Sequence, residues 1–167
     1  DLLQRSDSQR PLLVIGRSCP WAHRTWLVHQ LRDLQDSVTI LMAQADHNAG
    51  HWALNPAWEG CETLLALYRY CGAPPSYRAT VPVLVDPKTR TLLGNDSAPL
   101  VDLLNHWPHR NSVLDLAPPE STGVIQNWQL MLQSAVNDGV YRCGFARNQA
   151  AYNRAEAELF AALDALE

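Results

Sequence analysis

The chain is nearly without lysine. Of thirteen basic residues among 167, Lys88 alone is a lysine. A phosphate or Schiff-base site built on an ammonium group therefore has one candidate, in the turn Asp86-Pro87-Lys88-Thr89. The arginines are scattered and the formal net charge is −4, so nucleic acid and anionic membrane are not expected partners. No apolar run approaches the length of a membrane span. There is no Gly-x-Ser-x-Gly and no glycine-rich loop leading into a lysine, which removes serine hydrolases and nucleotide triphosphatases. The four cysteines (Cys19, Cys61, Cys71, Cys143) lie far apart with no metal-type spacing, and no signal-peptide pattern precedes them. They are expected as thiols in a reducing, cytoplasmic compartment. His47 and His51 sit beside Gly50 with no third ligand, and no metal site is expected. Both ends read as cut, with Asp1 in place of a methionine and an uncapped helical pattern at Glu167.

What is present is ordinary globular material, 47% hydrophobic and 18% charged. The most informative stretch runs from Leu12 to Arg24. Leu12-Leu13-Val14-Ile15 reads as a buried strand, Gly16 to Ser18 as a turn, and Pro20 as the opening of a helix, where its missing N–H costs nothing. Leu27, Val28, Leu31 and Leu34 recur at helical spacing and predict that helix's apolar face. Cys19 thus falls at a strand-to-helix junction, where unpaired N–H groups and the helix dipole favour an anion, here the nucleophilic thiolate. Ala22 stands where a Cys-x-x-Cys motif would place its second cysteine. A lone thiolate must be resolved from outside, and a small thiol such as glutathione suffices.

Further along, Val38 to Met42 predicts a second strand, parallel to the first by its crossover. Residues 43–60 read as a long loop broken by Gly50, Pro56 and Gly60 and holding Trp52 and Trp58. Glu62 to Tyr70 predicts a helix, Val81 to Val85 and Thr91 to Gly94 a hairpin, and Leu100 to Trp107 a helix introduced by Asn95-Asp96-Ser97. The order is that of a thioredoxin-like α/β domain over residues 1–107. Residues 108–122, with three prolines, read as a linker, and residues 123–167 as helices only, one around Trp128 to Val136 and one beginning after Asn148.

Two more features belong with Cys19. In a thioredoxin-like fold Pro82 is expected cis and facing the cysteine, which presents the backbone of Val81 to an extended peptide. At Asp96-Ser97 two uses are open. Ser97 serves as the N-cap, and its hydroxyl with the free N–H groups could also hold a carboxylate. Asp96 could pair with an amino group.

In order, Cys19-Pro20-Trp21-Ala22-His23-Arg24-Thr25, Ala79-Thr80-Val81-Pro82-Val83-Leu84-Val85-Asp86, Asn95-Asp96-Ser97 and Asn137-Asp138-Gly139-Val140-Tyr141-Arg142-Cys143-Gly144-Phe145-Ala146 resemble the glutathionyl-hydroquinone reductases, the Xi-class glutathione transferases. The resemblance implies an α/β thioredoxin-like domain followed by the start of an all-α transferase domain, and a homodimer for the full-length protein. It implies Cys19 as nucleophile, glutathione as co-substrate on Val81 and Pro82, and Asp96 and Ser97 at its γ-glutamyl end. Trp52 would cover the glutathione, Arg78 would lie near it, and Tyr141 would face a hydroquinone ring. The chain departs in having Asp96 where the family has glutamate, and in a shortened loop around Trp52, which leaves Trp58 as the other candidate. The expected activity is removal of glutathione from quinol thioethers through a Cys19–glutathione mixed disulfide. An Omega-like thioltransferase or dehydroascorbate reductase needs the same residues. A non-catalytic glutathione-binding scaffold needs only an inert Cys19.

Overall fold

Residues 2–108 and 114–167 are described by a computed structural model. The chain divides into two compact units, Asp1–Leu116 and Ala117–Glu167. Part of the expected linker, residues 109–113, lies outside the described residues.

The first unit is built on one six-stranded sheet of order β4-β3-β2-β1-β5-β6. Its centre is β1 (Leu12–Gly16), buried along its whole length because it is covered on both faces. The helix α1 (Pro20–Leu31) crosses over to β2 (Thr39–Asp46), which pairs parallel with β1, Val14 opposite Leu41. On the other side β5 (Val83–Asp86) runs antiparallel to β1, Leu13 opposite Leu84, and turns into β6 (Thr91–Gly94). Helix α2 (Leu64–Tyr70) packs on the far strands, and α3 (Ser97–Asn105) packs against α1. Leu13, Val14, Leu34, Leu67, Leu84 and Leu104 are wholly buried between these layers.

The expected loop at residues 43–60 is a strand hairpin instead. β2 runs on to Asp46, and β3 (His51–Trp58) returns antiparallel to it with Ala45 opposite Trp52. A three-residue strand, β4 (Cys61–Thr63), closes that edge and shortens the helix expected from Glu62. Pro56 is tolerated because β3 is irregular there. Its pairing with β2 ends at Leu54, and its register with β4 shifts between Ala53 and Trp58, so no ladder hydrogen bond asks for the missing N–H. Gly50 and Gly60 take positive φ, 68° and 77°, in the two tight turns.

The expected face of α1 is also corrected. Val28 is buried and Leu34 wholly so, but Leu27 and Leu31 are 47% and 55% exposed. The helix instead buries Ala22, Thr25, Val28 and His29. Polar Thr25 and His29 can lie there because each finds a carbonyl: Thr25 Oγ1 donates to Ala22 O at 2.7 Å, and His29 Nε2 lies 2.8 Å from Val38 O.

The second unit is helical, with α4 (Thr122–Leu132), α5 (Gly139–Gly144) and α6 (Gln149–Asp164). Where one helix was expected through Val136, a π-helical turn, Gln133–Asn137, follows α4. Asn148 caps α6 as expected, its side chain accepting from Ala151 N at 2.8 Å.

Candidate functional site

Cys19 occupies the N-cap of α1, half-buried, with Pro20 as the first helical residue. The turn that presents it is closed by Cys19 N donating to Gly16 O at 3.0 Å. Its sulfur does not cap the helix. Sγ lies 3.5 Å from the carbonyl oxygen of Val81, which accepts from the thiol. The Val81–Pro82 peptide is cis, and both residues precede the first ladder position of β5, so the expected strand start at Val81 moves to Val83. This segment is held from below by Tyr68 of α2, whose hydroxyl donates to Thr80 O at 2.8 Å and accepts from Thr80 N at 3.3 Å. In the sequence Tyr68 is only one more residue of the predicted helix Glu62 to Tyr70. Its hydroxyl's partner lies twelve residues on.

Trp52, on β3, leans over the end of β1. A Cβ on Gly16 would overlap the six-membered ring of the indole, so the glycine read as the start of a turn serves instead to admit Trp52 next to the cysteine loop. A groove of about 670 Å³ opens beside it, lined among others by Ser18, Asp46, His51, Trp52, Arg78 and Thr80. A second, of about 410 Å³, is lined by Arg17, Ser18, Gln44 and Trp52 among others. Trp58 lines neither. It packs edge-on against Tyr70, centroids 5.6 Å apart. In the larger groove the Asp46 carboxylate is held below its usual range, first by the Ala49 N–H, with Asn48 N–H and the neighbouring histidines adding to it. Both N–H groups lie 3.0 Å from Oδ1.

The start of α3 differs from expectation in its cap. Asp96, not Ser97, is the N-cap, and its carboxylate accepts from Ala98 N at 3.0 Å. Ser97 is the first helical residue and is buried, 5% exposed. Its oxygen accepts from two nitrogens of Arg24, Nε at 2.9 Å and Nη2. The guanidinium lies over the Trp21 ring, 4.9 Å from its centroid. Burial draws Arg24's pKa below its ordinary value, and the Asp96 carboxylate opposes that shift. Arg24 carries no signal of this role in the sequence. Its partner is 73 residues away, and nothing in the spacing marks the pair.

Cys19, Val81, Pro82, Trp52, Arg78, Asp96 and Ser97 all belong to the first unit. Tyr141 belongs to the second, on α5, 38% exposed and stacked on Phe145 at 6.4 Å. The other thiols of the first unit, Cys61 and Cys71, are buried. Burial raises both, Cys71 to about 11, with the Glu59 charge adding at Cys61 and Cys61 adding at Cys71. Among the described residues no three potential ligands converge on a metal position, and no helix is long and apolar enough to cross a membrane.

A profile of the glutathione S-transferase N-terminal domain matches residues 18–107. The glutathionyl-hydroquinone reductase YqjG of Escherichia coli is 30% identical over 172 residues, which cover 97% of this chain and 52% of that protein. The glutathionyl-hydroquinone reductase PcpF of Sphingobium chlorophenolicum is 32% identical over 174 residues, covering 98% and 55%. The glutathione-bound structure of Escherichia coli YqjG superposes with a TM-score of 0.82 at 30% identity, covering 96% of this chain and 56% of that one. The chain spans about half the length of the curated relatives it matches.

Proposed function

The chain belongs to the glutathione S-transferase family, and from that membership we propose that it carries the glutathione site and catalytic thiol of a glutathionyl-hydroquinone reductase. The observation that carries this reading is the Cys19 sulfur at the start of α1, 3.5 Å from the Val81 carbonyl and without a second cysteine beside it. Glutathione pairs its cysteinyl backbone with Val81 beside Pro82, and its sulfur then meets Cys19. Asp96 and Ser97 receive the γ-glutamyl end, Trp52 covers the peptide from the β3 side, and Arg78 lies near its other end. Support comes from the groove that Trp52 and Arg78 line, and from the two relatives named as reductases of this kind.

The chemistry is a two-step thiol exchange. The Cys19 thiolate attacks the sulfur of the quinol thioether, an S–S bond forms, and the bond from sulfur to the ring carbon breaks. The ring carbon keeps that electron pair and takes a proton, so the hydroquinone leaves reduced. A second glutathione thiolate attacks the mixed disulfide, releasing oxidised glutathione and the Cys19 thiolate. Tyr141 faces the quinol ring in this reading. A cytoplasmic location fits, since reduced thiols are maintained there.

The test is turnover of a glutathionyl-hydroquinone with excess glutathione, set against dehydroascorbate and a mixed disulfide. Wild-type protein is expected to prefer the quinol thioether, and Cys19→Ala to fall to the uncatalysed rate. Preference for dehydroascorbate or the mixed disulfide would assign the Omega-like activity instead. Full activity in Cys19→Ala would contradict the mechanism.

A further inference from the structure

Arg24 is the one charged side chain of α1 whose geometry the thiol exchange leaves unexplained. Its guanidinium donates through Nε and Nη2 to a single acceptor, the Ser97 oxygen, and its central carbon lies over the Trp21 ring. A serine hydroxyl has two lone pairs and one proton. With both lone pairs engaged by a cation, Ser97 has only its O–H left to offer, and the bound cation polarises that O–H into a stronger donor. A buried hydroxyl restricted to donating suits an anionic oxygen. We infer that Arg24 is a positioning residue that turns Ser97 into a dedicated donor for the γ-glutamyl carboxylate and ties that subsite to the helix carrying Cys19. The inference rests on the glutathione reading above.

The link has a mechanical side. Ser97 begins α3 and Arg24 lies on α1, so the two hydrogen bonds join the two helices at the carboxylate end of the site. Glutamine in place of Arg24 can offer one amide donor to Ser97 but neither the charge nor the fork. Lysine keeps the charge as a point and loses the fork.

The experiment is calorimetric titration of the whole chain with S-methylglutathione, which cannot form a disulfide, and with the S-methylated 4-aminobutyryl-cysteinyl-glycine analogue, which lacks the γ-glutamyl carboxylate. Arg24→Gln and Ser97→Ala are each expected to weaken S-methylglutathione about tenfold, and the double variant no more than either single one. Neither change should alter binding of the analogue, which the wild-type protein already holds more weakly. Arg24→Lys, the milder substitution if Arg24→Gln fails to fold, is expected to lose about threefold with the same restriction to the carboxylate ligand. Equal losses for both ligands, additive losses in the double variant, or unchanged affinity in the Arg24 variants would overturn the inference while leaving the glutathione site standing. Failure of the wild-type protein to bind S-methylglutathione would overturn the glutathione reading and this inference with it.

Discussion

At the scale of single residues, the three cysteines of the first unit are set apart by their surroundings. Cys61 and Cys71 are buried, and both are pushed above the ordinary thiol value, Cys71 to about 11. Near neutral pH they are protonated and shielded, whereas Cys19 is half-buried at a helix start, and the preceding residue, Ser18, lines both grooves. Limited alkylation at about pH 7.5, read by peptide mass, is expected to label Cys19 well before Cys61 and Cys71, which react only after denaturation. Labelling of Cys19 no faster than those two would favour an inert scaffold. Gly16 is the second residue whose surroundings decide its use. An added methyl meets the Trp52 ring, so Gly16→Ala is expected to cost about 1–3 kcal/mol in denaturant unfolding and to displace the indole from the groove. Unchanged stability and unchanged glutathione affinity would show that Trp52 has room to spare.

At the scale of elements, α1 is anchored to the start of β2 by a histidine. Val38 O can only accept, so His29 Nε2 carries the proton and Nδ1 accepts from Gln30 Nε2 at 3.1 Å. Burial holds His29 below its ordinary value of 6.5, with the Val38 bond acting in the opposite sense. The unfolded chain then takes up this proton first as pH falls. The contribution to stability is complete above the unfolded value and is lost as pH drops through the folded one. Melting temperature is therefore expected to fall between about pH 7.5 and pH 5, and His29→Gln to flatten part of that fall. Equal slopes in the two proteins would contradict this account of α1. The same helix shows where sequence reading stops. Leu27 and Leu31 repeat at helical spacing yet face outward, because Thr25 and His29 satisfied their polar atoms locally and took the inner face. Strands β1 and β5 are legible from short β-branched runs, and β6 from the turn Asp86-Pro87-Lys88-Thr89 that leads into it. β3 was not, because Pro56 and two glycines look like loop residues until the partner strands show that Pro56 falls in the irregular stretch of the pairing. The cysteine, the cis proline and the Asp96-Ser97 pair could be read from motif and position. Arg24 and Tyr68 could not, since each acts through a hydrogen bond to a residue distant in sequence.

At the scale of the whole molecule, every residue proposed to hold glutathione lies in the unit Asp1–Leu116, and the proposed quinol contact, Tyr141, lies in Ala117–Glu167. The second unit is tied internally by Arg142, which pairs with Glu158 of α6 at 2.6 Å and donates to Ser134 O at 2.9 Å. Capture of glutathione by Cys19 should accordingly be separable from handling of the quinol. The most direct measurement is the intact mass of the whole chain after incubation with glutathione disulfide, followed by mapping of the modified peptide. The account predicts one disulfide-linked glutathione, on Cys19, lost on adding excess reduced glutathione, absent from Cys19→Ala and retained in Tyr141→Ala. No adduct, or an adduct on another cysteine that persists in Cys19→Ala, would contradict it.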